Sequence, residues 1–296
     1  MSAVQRIVGF LAILVLAFGA AVGIGGAVGP TDRSDGEKPG AHGGGTDSDK
    51  EEGAGHGGEP KSAAASAPQG LSIATAEARL VSDNKTYRRG EVKEFRFRIV
   101  GPGGQTVRDF DVEHDKLMHL IAVRRDMAGF VHVHPRQQAD GSWSVPLRFT
   151  DPGTYRVFAD FKAEGGERTT LGTDVFVAGQ STRRALPPPQ KTFSVDGYDV
   201  AISGEGRAGE ERELAFQVSR NGKPIEVEPY LGADGHLVTL REGDLAYLHV
   251  HPVEEEGVAK PIRFIAEYPS AGRYRLFLQF KHEGAVHTAA FTQEVR

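Results

Sequence analysis

The feature that most constrains this chain is an internal repeat. KLMHLIAVRRDMAGFVHVHP at 116–135 matches ADGHLVTLREGDLAYLHVHP at 233–252, and PGTYRVFADFK at 152–162 matches AGRYRLFLQFK at 271–281. Each unit is about 100 residues long, the size of one ordinary domain. A period this long, with only two copies, makes two domains and not a solenoid. The full length of 296 residues fits two domains.

Within each copy the text runs in short alternating segments bounded by Gly, Pro, Asp and Asn. EFRFRIV at 94–100, SWSVPLRF at 142–149 and TYRVFADF at 154–161 place polar residues outward and apolar residues inward. That period of two marks half-buried strands, and a series of them makes a sandwich or barrel. Gly153-Thr154-Tyr155 and Gly272-Arg273-Tyr274 each open such a strand after a turn. The pattern resembles the tyrosine corner of immunoglobulin-like (Ig-like) sandwiches, in which the tyrosine hydroxyl bonds back to nearby backbone. The cysteine that often follows two residues later is replaced by Val157 and Leu276, and the chain has no cysteine at all. Disulfides, thiolate metal sites and a cysteine nucleophile are thereby excluded. The fold expected is all-β: two tandem Ig-like β-sandwiches at 71–180 and 192–296. A proline-rich linker at 181–191, with Pro187, Pro188 and Pro189, separates them as a fairly stiff spacer.

Ahead of the repeats, residues 7–29 carry no charge and are long enough to cross a hydrocarbon core as a helix. Arg6 precedes them, and Asp32, Asp35 and Glu37 follow, so the bulk of the chain is expected outside the cytoplasm. Residues 1–29 therefore read as a cytoplasmic start and transmembrane signal anchor. A cleaved signal peptide is the alternative, with small residues at Ala17, Gly19 and Ala21. Residues 30–70 are rich in Gly, Ser, Asp and Glu and nearly free of large apolar side chains, the composition of a disordered tether. His42 and His56 fall within it and read as solvated. The net charge of −5 lacks the electrostatic footprint of a nucleic-acid binder.

Six of the 11 histidines sit in the repeated hairpin. His119, His132 and His134 have the spacing H-x12-H-x-H, and His236, His249 and His251 repeat it. His132 and His134 share one face of a strand, with Phe130, while Val131 and Val133 point the other way. If Val123 pairs with Phe130, His119 lies opposite His134, and a shift of two residues puts it opposite His132; both registers gather the three imidazoles on one face at cross-strand separations of roughly 5 Å. A slip of one residue would send His119 to the other face. In the second copy, pairing Leu240 with Tyr247 would put His236 opposite His251. Neutral imidazoles gathered in this way suit copper or zinc as Cu(II) or Zn(II), and Met118 alternates away from them, which disfavours copper(I). Three histidines leave one coordination position open. Asp126 and Asp244 are nearby candidates for it, but they are not equivalent in the two copies. His114 reads as a surface residue.

The hydrophobic-His-Leu…His-Val-His-Pro pattern, followed by PGTYRVFADF and AGRYRLFLQF, resembles actinobacterial secreted or membrane-anchored tandem β-domain proteins, some labelled heavy-metal-associated. The single unit also resembles the YtkA-like domains of bacterial envelopes. The resemblance implies an envelope location, an Ig-like fold and a metal role. Two functions compete. One is a membrane-anchored extracytoplasmic copper- or zinc-binding protein with one three-histidine site per domain. The other is a non-enzymatic module that contacts an envelope protein partner and uses its histidines structurally. No enzyme is expected, since the hairpins hold no equivalent acid to serve as base and the chain lacks G-x-S-x-G.

Overall fold

The computed structural model describes residues 68–248, 250–253, 257 and 259–296, and among these residues there is no helix. The first repeat folds as β1 (Arg79–Ser82), β2 (Thr86–Arg88), β3 (Val92–Val100), β4 (His119–Arg124), β5 (Val131–Val133), β6 (Arg136–Gln137), β7 (Trp143–Arg148), β8 (Gly153–Lys162) and β9 (Arg168–Ala178). Its two sheets have the orders β1-β3-β7-β6 and β2-β9-β8-β4-β5. The second repeat folds as β10 (Thr192–Val195), β11 (Tyr198–Ser203), β12 (Glu211–Arg220), β13 (Lys223–Pro224), β14 (His236–Arg241), β15 (Tyr247–Leu248), β16 (Val250–Val253), β17 (Ile262–Glu267), β18 (Gly272–His282) and β19 (Ala285–Val295). Its sheets are β10-β11-β12-β17-β16, with β13 on β12, and β15-β14-β18-β19. These are two tandem sandwiches with the Ig-like strand order. The expected anchor at 7–29 and most of the tether lie outside the described residues.

The cores follow the alternation. Phe95, Phe97 and Ile99 of β3 and Trp143, Val145 and Leu147 of β7 meet Leu120, Ala122, Tyr155, Val157 and Ala159 from the facing sheet. Both tyrosine corners are present. Tyr155 Oη donates to the Asp151 carbonyl at 3.1 Å, and Tyr274 Oη donates to the Ser270 carbonyl at 2.8 Å. Val157 and Leu276 are fully buried where a sandwich with a disulfide would carry cysteine, so packing alone holds the two sheets.

One expectation needs correction. TYRVFADF reads as half-buried, yet β8 is buried on both faces through its middle, and so are β4, β14 and β18. The reason is docking. The outer faces of the two β4/β8-type sheets pack on each other through Ile121, Val123, Met127 and Phe158 of the first sandwich and Val238, Leu240, Leu245, Tyr247 and Phe277 of the second. The contact is reciprocal. Phe130 stacks on Phe277 at 4.2 Å between centroids, and Tyr247 packs on Phe158 at 5.6 Å. Phe130 and Tyr247 are repeat equivalents, as are Phe158 and Phe277, so one contact is made twice, as in an isologous dimer interface.

Two chain segments reinforce the junction. In the linker, the Arg184 backbone N–H donates to Asp126 and Leu186 packs against the shared apolar cluster. At the other edge, Gln69 accepts from the Tyr247 backbone N–H through its carbonyl and from the Thr170 N–H through its side chain, both at 2.9 Å. A double-mutant cycle on Phe130→Ala and Phe277→Ala is expected to return a coupling of about 1 kcal/mol, the usual worth of an aromatic pair beyond its burial. Additive losses in denaturant unfolding would show that the rings do not stack in solution.

A candidate metal centre between the sandwiches

Backbone pairing decides whether the histidines converge. In β4/β5, Leu120 pairs with Val133, Ile121 with His132 and Ala122 with Val131. This is the register in which His119 stands opposite His134, and it puts all three imidazoles on one face. Val131 and Val133 turn inward against the core, as does Met118, while Met127 packs in the apolar cluster between the sandwiches. Ligand-capable nitrogens of His119, His132 and His134 all lie within 4.8 Å of one another, and this is the one such group of three among the described residues. The ring centroids are spaced 4.9–5.3 Å apart.

One hydrogen bond assigns a ring proton directly. His119 Nε2 lies 2.9 Å from the Glu113 carbonyl, which can only accept. His119 therefore carries its proton on Nε2, and its Nδ1 is bare. His132 Nδ1 lies 2.6 Å from the Gln279 side-chain amide, so the His132 tautomer follows the orientation of that amide. His119 Nδ1 and His132 Nε2 face each other at 3.1 Å. With the amide oxygen toward His132, both facing nitrogens are bare and a cation ligated by both satisfies them; with the amide nitrogen toward it, His132 donates to His119. Zn–N bonds of about 2.0–2.1 Å at a tetrahedral angle set neighbouring nitrogens about 3.3 Å apart. His134 Nε2 is buried with no hydrogen-bond partner among the described residues. Outer N–H groups held by a carbonyl and an amide oxygen are the second shell that fixes tautomers at metal-binding histidines.

Electrostatics keep these rings neutral. Burial first, and then His119, pushes His132 down to about 3. Burial, with His119 and Lys116, lowers His134 to about 4. Burial also lowers His119 against the pull of its Glu113 hydrogen bond. Neutral imidazole is the form that ligates.

The second copy departs from its expected arrangement. Leu240 does pair with Tyr247. However, the chain leaves β14 after Leu248, and β16 pairs with β17 in the opposite sheet, with His251 across from Ile265 and exposed. His236 and His251 are therefore not cross-strand partners, and His249 lies outside the described residues. His236 turns instead toward the first sandwich. Its ring lies parallel to that of His119 (5.4 Å, 4°) and 4.6 Å from that of His132. His236 is 7% exposed, and burial followed by His132 and His119 holds its pKa well below the ordinary value.

Other sequence readings change as well. His114, expected on the surface, is half-buried and packs edge-on against His119 and His236. It occupies a tight turn with Asp115, both at positive φ, and its Nε2 accepts from Arg168 Nη1 at 3.4 Å. Asp126 and Asp244 do not reach toward the rings. Each is forked to an arginine, Arg124 and Arg241 respectively, as a turn brace. Sequence reasoning missed Gln279 and Asp160. They occupy equivalent positions on β18 and β8, cross-strand from His236 and His119. The available signal was a polar residue interrupting RVFADF and RLFLQF at the same place.

A family profile described as Domain of unknown function (DUF8832) matches residues 74–178 and 193–296. No curated protein matches the chain. Similar solved structures include FdeC, an Escherichia coli adhesin, at 13% identity over 75% of this chain and 65% of that one, TM-score 0.25. The titin Ig tandem A164–A165 is 15% identical over 75% of this chain and 99% of that one, TM-score 0.20. The N-terminal Ig1-2 module of the Drosophila receptor protein tyrosine phosphatase DLAR is 11% identical over 74% and 99%, TM-score 0.20. At these scores none of them bears on the site.

Proposed function

The chain belongs to the DUF8832 family, with two copies of its domain, and we propose that it is a metal-binding protein of the bacterial envelope. His119, His132 and His134 would hold Cu(II) or Zn(II). The observation that carries this reading is the convergence of His119, His132 and His134 nitrogens within 4.8 Å of one another, with His119 Nδ1 and His132 Nε2 opposed at 3.1 Å. An all-imidazole donor set without thioether favours these two ions over copper(I). The reading includes a single-pass anchor at 7–29 with both sandwiches extracytoplasmic, supported by the uncharged run and by Arg6 ahead of it. It also keeps the likeness of each unit to YtkA-like envelope domains and an actinobacterial setting. No catalytic step is included, because Asp126 and Asp244 are tied to arginines.

Calorimetric titration of the full chain with Cu(II) and Zn(II) tests it. Binding is expected at one site per chain and is expected to vanish in the triple variant His119→Ala, His132→Ala, His134→Ala. Equal heats from parent and variant would overturn the proposal.

A second reading has one observation in its favour: the stacking of His236 on His119 and His132 inside the junction. On that reading the histidines are structural and the tandem is a non-enzymatic module for an envelope protein partner. It requires a melting temperature indifferent to chelator.

A further inference from the structure

A hairpin that offers three imidazoles leaves a tetrahedral ion one ligand short. We infer that the second sandwich closes the centre: His236 supplies the fourth nitrogen and Gln279 the outer-sphere acceptor, so that the ion clamps the two sandwiches together. This rests on the metal reading above.

Three observations lead there. His236 is 7% exposed, and its Nδ1 is buried with no hydrogen-bond partner among the described residues. Its ring is 5.4 Å from that of His119 and 4.6 Å from that of His132, close to the 4.9–5.3 Å found within the triad. Imidazoles sharing one tetrahedral ion have centroids roughly 5 Å apart, given metal–nitrogen bonds near 2 Å. Asp160 accepts from Arg168 and Thr170, and His114 Nε2 accepts from Arg168. His236 and Gln279 face each other across β14 and β18, so one strand pair of the second sandwich delivers both groups. His236 lies outside the group of nitrogens within 4.8 Å, with its ring parallel to that of His119, and it joins the set by turning about the Cβ–Cγ bond to bring a lone pair onto the shared ion.

The consequence is linkage. An ion that binds the docked pair and not the separated pair stabilises docking. Metal occupancy and sandwich–sandwich contact then become one equilibrium.

The test uses the full chain with Co(II) as spectroscopic probe, Zn(II) affinity by competition, and hydrogen exchange of β14 and β18 with and without Zn(II). His236→Phe is the informative variant, because it keeps a stacked ring and removes the nitrogens. His236→Ala accompanies it. The parent is expected to give the intense visible bands of four-coordinate Co(II) and zinc-dependent protection of β14 and β18. Both His236 variants are expected to shift the bands, as water oxygen replaces the fourth nitrogen, and to abolish the added protection. Their Zn(II) affinity should fall by at least the roughly 10–100-fold typical of outer-sphere changes, and Gln279→Ala should fall within that range. Parent-like spectrum and affinity in His236→Phe would overturn the inference while leaving the three-histidine site intact. A parent that binds neither ion would overturn both.

Discussion

Asp160→Ala is expected to lower the unfolding free energy of the first sandwich by about 3 kcal/mol, the low end of what removing one partner of a buried ion pair costs. Asp160 is 1% exposed. It receives Arg168 Nη2 at 2.7 Å and Thr170 Oγ1 at 2.9 Å. Taking the carboxylate away leaves a largely buried guanidinium beside His114, His119 and His236, with only the weaker field of Glu113 to offset it. The penalty lies in the stranded charge, so Asp160→Asn should cost clearly less and Asp160→Ala with Arg168→Leu should recover part of the loss. Trp143 supplies the readout. It is the single tryptophan of the chain and is 1% exposed in the first core, so its fluorescence follows that sandwich. A shift below about 1 kcal/mol, the scale of one net hydrogen bond, would show that the pair is solvated and that this wall of the site is open.

Much of the site was legible because β geometry is periodic. With a period of two and an odd register sum, His119, His132 and His134 had to share a face. The apolar text at 117–123 and 130–133 selected that register, and Met118 and Val133 went inward on the same arithmetic. The tyrosine corners were legible because a glycine at positive φ, followed by tyrosine two residues on, is a local device. The docking was not. Alternation says which residues point away from a sheet's own core, but not whether water or protein meets them. Phe158 and Phe277, apolar at outward positions on β8 and β18, are the sign of it in the sequence. The same limit explains His236. Its spacing in the chain groups it with His249 and His251, whereas its ring packs on the other sandwich through a contact that exists only once both have folded. The divergence of the two HVHP segments is equally non-local. The local text is identical, yet the second copy pairs Val250 with Ala266 in the opposite sheet.

In the presence of chelator, stability is expected to fall steeply as pH drops from 7 to 5, before most carboxylates titrate. The sign follows from the direction of the shifts. His114, His119, His132, His134 and His236 all have folded-state pKa values below the ordinary 6.5, chiefly through burial. Below 6.5 the unfolded chain therefore binds more protons than the native one, and the unfolding free energy declines as pH falls. The stabilisation is complete above 6.5. It is lost on the way down and levels off only near the folded values, about 3 for His132 and about 4 for His134. Each fully desolvated ring contributes at most about 1.4 kcal/mol per pH unit. His236 and His132 approach that limit, and the more open His134 and His114 fall short of it. Several rings acting together should cost a few kcal/mol between pH 6.5 and 5, read from the denaturant midpoint of Trp143 fluorescence. His132→Gln should remove close to one proton from the slope. Bound metal should move the transition to lower pH, because ligated nitrogens resist protonation. A midpoint that stays level from pH 7 to 5 would mean the rings are hydrated, and the buried, proton-poor pocket on which a metal site depends would not exist.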